Sequence, residues 1–205
     1  MIFSQNNEQE VILDYFKNQP EGCFLDIGAN DGQTLSNSRA LALSGWSGVC
    51  VEPAPDPFQK LETLYDGSKV LVFECAIGKE NGKMPFHISG SHLHKGDSGL
   101  LSTLEPDEMK RWQGTEQFVE SEVDVLTWPS FYAGCSVKTF DFISIDAEGL
   151  DFFILKEMNL KEMATKLVCV EYNSNKMMKS AFHSIFTHFG MRPIHTNFEN
   201  LIYGL

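Results

Sequence analysis

Acidic residues in two parts of the chain lie beside glycine-containing turns, where side chains commonly contact ligands. The first part is Phe24–Gly32, which reads as a buried strand with Asp26 near its end, followed by a turn that begins at Gly28. About one helix later a second strand ends in Glu52. A glycine turn lets the backbone approach a ligand, and a carboxylate after the next strand can accept the two hydroxyls of a ribose. This unit therefore predicts that the chain binds an adenosine.

The details of the turn discriminate between adenosine cofactors. Asn30 stands where a dinucleotide-binding G-x-G-x-x-G turn has its second glycine, and no G-K-[ST] follows as in a P-loop. Asp26 would repel a pyrophosphate but would suit a ligand with a positive centre, such as the ammonium and sulfonium of S-adenosylmethionine. The combination of Asp26, Gly28 and Glu52 therefore favours a methyl donor. The alternative is an ordinary strand, turn and helix in which Asp26 only caps.

The second acidic part follows a later strand, Phe140–Asp146, and contains Asp146, Glu148 and Asp151. Glu171 and Asn173 end the next strand and are predicted to lie at the same sheet edge, as acceptor-binding residues. Methyl transfer to a hydroxyl benefits from a base, and Asp146 or Glu148 is the candidate. Glu148 has an alternative role as a helix cap. Carboxylate oxygens can also bind Mg²⁺, but spacing alone does not establish it, so no metal ligand is assigned.

A glycine-rich stretch, residues 78–123, interrupts the alternation of strands and helices and is interpreted as an insertion over the active face. It contains His92 and His94, which lack nearby cysteines for a zinc site. His92 is a candidate base in an acceptor pocket, and solvent exposure is the simpler alternative. Trp112 is the tryptophan best placed to stack on a sugar ring, although packing is the default role for each tryptophan. The segment is predicted to form the acceptor site, with surface elaboration as the alternative.

The remaining chain alternates between strands and helices and ends in a hairpin. This order predicts an α/β fold, a three-layer αβα sandwich with a mostly parallel sheet. After a first helix over 7–18, strands are predicted at 23–27, 48–52, 70–75, 140–146 and 167–171, and the main helices at 33–43, 57–65, 152–158 and 177–189. Short strands at 84–88 and 118–126 and a short helix at 106–113 are predicted within or next to the insertion.

Bulk properties narrow the class of protein. A chain of 205 residues with 42% hydrophobic and 21% charged residues fits one globular domain. The net charge of −12 argues against a nucleic-acid partner, because phosphate contacts need Lys and Arg. The five cysteines have no CxxC pair and are expected to be reduced and buried. Neither a secretory leader nor a membrane span is recognisable, so a cytoplasmic location without a membrane partner is expected. The oligomeric state stays open.

Several short motifs together resemble the FkbM-type methyltransferases, a class I family that depends on S-adenosylmethionine and often O-methylates sugars or other natural-product hydroxyls. The most specific pair is the turn L-D-I-G-A-N-D-G with D-A-E-G after the fourth main strand. The resemblance runs in family order over most of the chain, and the matching pieces are Leu25–Gly32, Val51–Pro53 with Phe58 and Leu61, Ala76–Gly78, Ser98–Leu100, Val123–Leu126, Phe142–Gly149 and Val170–Glu171.

The resemblance implies a seven-stranded sheet whose last strand is antiparallel, and it implies roles for individual residues. The methionine part of S-adenosylmethionine would be surrounded by Asp26, Gly28, Asn30, Asp31 and Gly32. Glu52, with Pro53 beside it, would hold the ribose, Cys75 and Ala76 would border the adenine, and Asp146 would face the methyl group. Ser144 stands where the family often has Lys, which bears on the acceptor more than on the cofactor.

The leading hypothesis is therefore an S-adenosylmethionine-dependent methyltransferase that methylates a hydroxyl of a sugar or another small molecule. Methylation of a carboxyl or amine and a non-catalytic binding protein on the same fold are the alternatives. Asn30 disfavours a nicotinamide-dependent oxidoreductase.

Overall fold

The computed structural model describes all residues, 1–205, and its centre is a seven-stranded sheet with the order β3-β2-β1-β7-β8-β10-β9. The first five strands in this order are parallel, and β10 runs antiparallel to both of its neighbours. This confirms the mostly parallel sheet with a C-terminal hairpin. Its strands are β1 (Cys23–Ile27), β2 (Ser47–Val51), β3 (Val70–Phe73), β7 (Phe142–Ile145), β8 (Leu167–Glu171), β9 (Arg192–Thr196) and β10 (Asn200–Gly204).

Helices cover both faces of the sheet, because its central strands are apolar on both sides. In β1, Phe24 packs into a core with the three helices between residues 8 and 65, whereas the adjacent Leu25 packs into a core with the three helices between residues 128 and 188. The three-layer αβα sandwich predicted from the sequence is thus confirmed. The helices are α1 (Glu8–Tyr15), α2 (Arg39–Leu43), α3 (Pro55–Tyr65), α4 (Trp128–Gly134), α5 (Asp151–Glu157) and α6 (Lys176–His188).

A second, three-stranded sheet is built from β4 (Ala76–Ile77), β5 (Gly82–Ser89) and β6 (Phe118–Leu126), in the order β4-β6-β5. The pair β5–β6 is an antiparallel hairpin whose two strands are joined by residues 90–117, here called the cover segment. The cover segment includes one short 3-10 helix, Glu108–Trp112. Phe86, Val123 and Val125 bury one face of this sheet against Ala54 at the start of α3, which attaches it beside the end of β2.

One expectation about secondary structure is wrong, and one helix was missed. The helix predicted over 33–43 is limited to Arg39–Leu43, because side chains before it hydrogen-bond to the backbone and compete with helix formation. The Asp31 carboxylate accepts from the amides of Gln33 and Thr34, and Ser36 Oγ accepts from the amide of Arg39. Helix α4 was not predicted, although Thr127 is its N-cap and Pro129 occupies its first turn.

No helix of the protein combines the length and the apolar character that crossing a membrane requires.

Candidate functional site

A cleft of about 250 Å³ opens at the carboxyl ends of the parallel strands. It lies where the strand order reverses, since the chain passes from β1 outward to β3 and later returns to β7 on the other side of β1. Open α/β sheets bind their ligands in this crevice. The cleft is lined by the ends of β1, β2, β7 and β8, by residues 34–37, by parts of the cover segment and by the loop before β10.

The turn after β1 begins at Gly28, which has a φ of +80°. A Cβ atom at this position would lie 1.8 Å from the backbone oxygen of Asp146, so only glycine allows β1 and β7 to end this close together. The amides of Gly28 and Ala29 both donate to the carbonyl of Val51 at the end of β2. Three strand ends are therefore fixed to one another at the floor of the cleft.

Glu52 lines the cleft and also supports the turn. One carboxylate oxygen accepts from the amide of Asn30 at 2.9 Å, and the other accepts from the amide of Ala54 at 2.7 Å. Each carboxylate oxygen has a second lone pair, so further donors can still be accepted. Burial raises the pKa of Glu52 to about 7, although these two amide bonds act in the opposite direction.

Asp26 points into the same crevice from β1 and accepts a hydrogen bond of 2.5 Å from the Ser38 hydroxyl. Burial raises the pKa of Asp26 to about 6 despite this bond. Pro53, Cys75 and Ala76, which the family resemblance implies as neighbours of the ribose and the adenine, also line the cleft.

Asp31 and Gly32 belong to the turn but do not line the cleft. The Asp31 carboxylate accepts hydrogen bonds from the amides of Gln33 and Thr34 and from the Thr34 hydroxyl, the last at 2.8 Å. A Cβ on Gly32 would lie 2.7 Å from Leu61 and 2.9 Å from Leu64, so this glycine allows the turn to pack against α3. Asn30 lines the cleft through its backbone turn and donates from its side chain to the carbonyl of Ser98 at 2.9 Å. It thereby connects the turn to the cover segment.

Residues 34–37 line the cleft, a feature that the sequence analysis missed by assigning them to a helix. Asn37 is of particular interest because its Oδ1 is buried without a hydrogen-bond partner in the protein. Such an atom is costly unless a ligand or water satisfies it. The run Ser36-Asn37-Ser38 was a usable signal, because these residue types are poor helix formers and favour local side-chain bonds to the backbone.

Three carboxylates meet where β7 and β8 end. Oxygens of Asp146, Glu148 and Glu171 all lie within 4.8 Å of one another. Glu148 is buried and adopts a left-handed φ of +43°, and its Oε2 has no hydrogen-bond partner. The nearest cation is Arg111, whose Nη1 lies 3.8 Å from that oxygen. The structure thus brings together the predicted residues of the second acidic group.

Their mutual proximity affects ionisation. Desolvation and then the Asp151, Asp26 and Glu52 carboxylates raise the pKa of Asp146 to about 8. Asp146 is exposed to the open cleft, so the size of this shift depends on what fills the cleft. Burial, followed by the Asp146 charge, also raises the pKa of Glu148 and that of Glu171. The cluster therefore favours a ligand that brings positive charge or donates hydrogen bonds.

Asp151, the third acid after β7, has a structural role. Its two carboxylate oxygens accept from the amides of Ala147 and Gly149, at 2.8 and 3.1 Å, and thus fix the loop that carries Glu148. Glu148 does not cap α5, because the N-cap residue of that helix is Leu150 and no side chain hydrogen-bonds there as a cap. Asn173 lines the cleft next to Glu171 and, like Glu148, has a left-handed φ, of +49°.

The cover segment places His92, Arg111 and Trp112 on the cleft wall opposite the main sheet. His92 Nδ1 lies 2.8 Å from a carboxylate oxygen of Glu116, and the His92 ring meets the Trp112 ring edge-on, with 5.1 Å between centroids. The segment is attached to the loop after β7, because the Thr103 hydroxyl donates to the backbone oxygen of Glu148 at 2.7 Å. His92 and Trp112 therefore share one cavity with the carboxylate cluster.

Comparison with known proteins agrees with this architecture. Residues 26–193 match the methyltransferase FkbM domain, and the chain belongs to this family of S-adenosylmethionine-dependent methyltransferases. No curated protein matches the sequence.

Solved structures with a similar fold include PH1948 from Pyrococcus horikoshii, provisionally assigned as an RNA methyltransferase, with a TM-score of 0.53 and 13% identity over 97% of this chain and 83% of that one. WbdD has a TM-score of 0.52 and 10% identity, over 97% of this chain and 39% of the WbdD chain. The METTL16 methyltransferase domain has a TM-score of 0.51 and 12% identity, over 96% of this chain and 65% of that one. At these identities the likeness is one of fold.

Proposed function

We propose that the protein transfers a methyl group from S-adenosylmethionine to a hydroxyl of a small-molecule or carbohydrate acceptor. The observation that carries the proposal is one cleft lined both by a buried carboxylate pair, Asp26 and Glu52, and by Asp146 and Glu148 from the loop after β7. When bound, the cofactor supplies an activated methyl group on a sulfonium, so the protein has mainly to position the partners and complement their charge.

The lining fits the cofactor. Carboxylates with raised pKa values are stabilised by a cationic ligand, and the unpartnered Oδ1 of Asn37 can accept a hydrogen bond from one. Glu52 retains acceptor capacity for the ribose hydroxyls, while Cys75 and Ala76 provide a largely apolar surface for the adenine. The turn residues Gly28 and Asn30 would surround the methionine part.

On the acceptor side, Asp146 or Glu148 would orient the hydroxyl, and one of these carboxylates or His92 would receive its proton. Glu171 and Asn173 would bind neighbouring groups of the acceptor. Trp112 offers a ring face for a sugar. We place this activity on small acceptors rather than nucleic acids, because the chain carries a net charge of −12 and this end of the cleft is acidic. The reduced state expected of the five cysteines supports a cytoplasmic location, and we propose no membrane partner.

A second candidate is methylation of an amine. It is favoured by the three carboxylates within 4.8 Å of one another, which have only Arg111 as a nearby cation and would stabilise an ammonium group before transfer. A non-catalytic role on the same fold predicts instead that no acceptor is turned over although the cofactor binds.

The first test is calorimetric titration with S-adenosylmethionine and S-adenosylhomocysteine. We expect binding by the wild type and a loss of at least about 100-fold in Glu52→Ala, whereas Glu62→Ala, an exposed glutamate on α3, should bind normally. A folded wild type that binds neither compound would overturn the proposal.

The second test is an acceptor screen by release of S-adenosylhomocysteine. Sugars, polyols and amines are compared with and without Mg²⁺, because the cluster geometry would also allow carboxylates to bind that ion. Turnover of amines but not hydroxyl compounds would select the second candidate.

A further inference from the structure

We infer that Glu116 is a positioning residue that orients His92 as the base for the acceptor hydroxyl, so that the two form a dyad on the wall of the cleft. The inference rests on the proposed methyl transfer and adds to it a residue that no sequence pattern selects. It also chooses between His92 and the carboxylates as the proton acceptor.

The geometry of the pair is that of an oriented imidazole. His92 Nδ1 lies 2.8 Å from Glu116 Oε1, and the side chain of Glu116 is only 8% exposed, whereas that of His92 is 32% exposed. His92 lines the cleft and Glu116 does not, so the carboxylate lies behind the ring. A carboxylate at Nδ1 selects the tautomer with the proton on that nitrogen, which leaves Nε2 bare to accept a proton.

Both partners are held in place by local structure. The amide of Glu116 donates to the carbonyl of Trp112 at 3.0 Å, in a turn that follows the short 3-10 helix. The Asp97 carboxylate fixes the loop that carries His92, because it accepts from the amides of Leu93 and Lys95 and from the Ser91 hydroxyl, at 2.9, 3.1 and 3.0 Å. The Trp112 ring contacts His92 edge-on and restricts its rotation.

The neighbouring carboxylates are crowded together. Oxygens of Asp146, Glu148 and Glu171 lie within 4.8 Å of one another. Burial, and then the charge of each carboxylate on the next, disfavours ionisation and raises the pKa of Glu148 and that of Glu171. They can orient a hydroxyl, whereas His92 can take its proton. In that step the acceptor oxygen bonds to the methyl carbon while the carbon–sulfur bond breaks, the electron pair stays on sulfur, and the acceptor proton passes to Nε2.

The experiment that tests the dyad compares His92→Gln, Glu116→Gln and Glu116→Ala with Glu120→Gln, an exposed glutamate on β6 that serves as the control. Glu116 variants should bind S-adenosylmethionine within about twofold of the wild type. With an acceptor found in the screen, kcat should fall roughly 100-fold or more in His92→Gln and roughly 10- to 100-fold in the Glu116 variants, with little change in KM.

A second readout needs no acceptor. In protein with ¹⁵N-labelled histidine and bound S-adenosylhomocysteine, recorded at pH 8.5, we expect His92 to carry its proton on Nδ1 in the wild type and in Glu120→Gln, and to shift towards the Nε2–H form in Glu116→Ala. A wild-type His92 protonated on Nε2, or a kcat unaffected by the His92 and Glu116 variants, would overturn the inference. Such a result leaves methyl transfer intact, whereas failure of cofactor binding removes the proposed function itself.

Discussion

One side of the cleft is made from consecutive strand ends, whereas the other combines strand ends with a segment from a different sheet. The proposed cofactor side, called the cofactor side below, consists of the turn after β1 and the ends of β2 and β3, all between Asp26 and Ala76. The proposed acceptor side, called the acceptor side below, consists of the loops after β7 and β8 and the cover segment, so its members come from residues 90–117 and 146–173. The first side is fixed by backbone bonds between parallel strands, and the second by side-chain bonds across loops.

This difference predicts how each side responds to substitution. Backbone bonds such as those from Gly28 and Ala29 to Val51 belong to the framework, so damage there should cost stability. Bonds such as that from Thr103 to Glu148, or between His92 and Glu116, position a few side chains, so their loss should change turnover and leave the fold intact. A fold with variable acceptor loops on a constant framework can change acceptors without losing its cofactor.

The largest effect is expected for Gly28→Ala on the cofactor side. The added methyl group would collide with the Asp146 backbone oxygen, and φ of +80° would be strained, so we expect a loss of about 4 kcal/mol or more in the free energy of unfolding. Urea denaturation measures this. Gly45→Ala is the control, because its φ is +92° but its Cβ would meet open space, and it should cost only about 1 kcal/mol. Equal losses in the two variants would contradict the tight junction of β1 and β7.

Arg111→Met should reduce turnover by roughly 10-fold at pH 7. Arg111 lowers the pKa values of Asp146, Glu148 and Glu171, so its removal keeps more of these carboxyls protonated. Activity should therefore recover partly as the pH is raised towards 9, which a pH–rate profile will reveal. Lys110→Met is the matched control, since that lysine pairs only with the exposed Asp107. A loss independent of pH would assign Arg111 a purely steric role.

Cofactor binding should release protons near pH 7. The pKa values of Asp26, Glu52 and Asp146 are raised to about 6, 7 and 8, and a cationic ligand favours their ionised forms. Affinity for S-adenosylmethionine should thus rise several-fold between pH 6 and 8, and less for S-adenosylhomocysteine, which lacks the sulfonium charge. Calorimetry in two buffers of different ionisation enthalpy counts the protons.

The same pKa shifts determine whether the stability of the ligand-free protein rises or falls with pH. Because these folded-state pKa values lie above the unfolded ones, the folded state binds more protons in this range, and stability should fall as the pH rises from about 4 to 8. Stability that increased with pH over this range would be inconsistent with buried, mutually repelling carboxyls.

The smallest effect is expected for Asp97→Ala in the cover segment. Burial raises the pKa of Asp97, but the amides of Leu93 and Lys95 and the Ser91 hydroxyl outweigh it and hold the pKa well below its usual range. Without this carboxylate, the amides of Leu93 and Lys95 should exchange faster with solvent while global stability hardly changes. Asp124→Ala, at an exposed position on β6, should leave their exchange rates unaltered. In the wild type the same protection should be lost only in acid, as the pH falls below about 4.

The sequence by itself determined the fold class and the family, because hydrophobic strands, glycine turns and acidic strand ends are local patterns that recur in order along the chain. Asp26, Gly28 and Glu52 could be selected in this way, as could Asp146 and Glu148. Helix propensity failed at residues 33–38, where backbone amides donate to the Asp31 carboxylate and the Ser36 hydroxyl oxygen instead of forming the expected helix. The sequence also predicts the two strands of the hairpin in and next to the glycine-rich stretch 78–123, but not the short strand β4 that completes their sheet.

Only the tertiary structure decided which distant residues meet. Glu116 lies 24 residues after His92 in the cover segment, and no sequence pattern at either position predicts that the two side chains meet. The proximity of Arg111 to Glu148 and the attachment of Asn30 to Ser98 likewise depend on how this segment folds back over the cleft. Such contacts arise from packing between elements far apart in sequence, and the periodicity of a single segment holds no information about them.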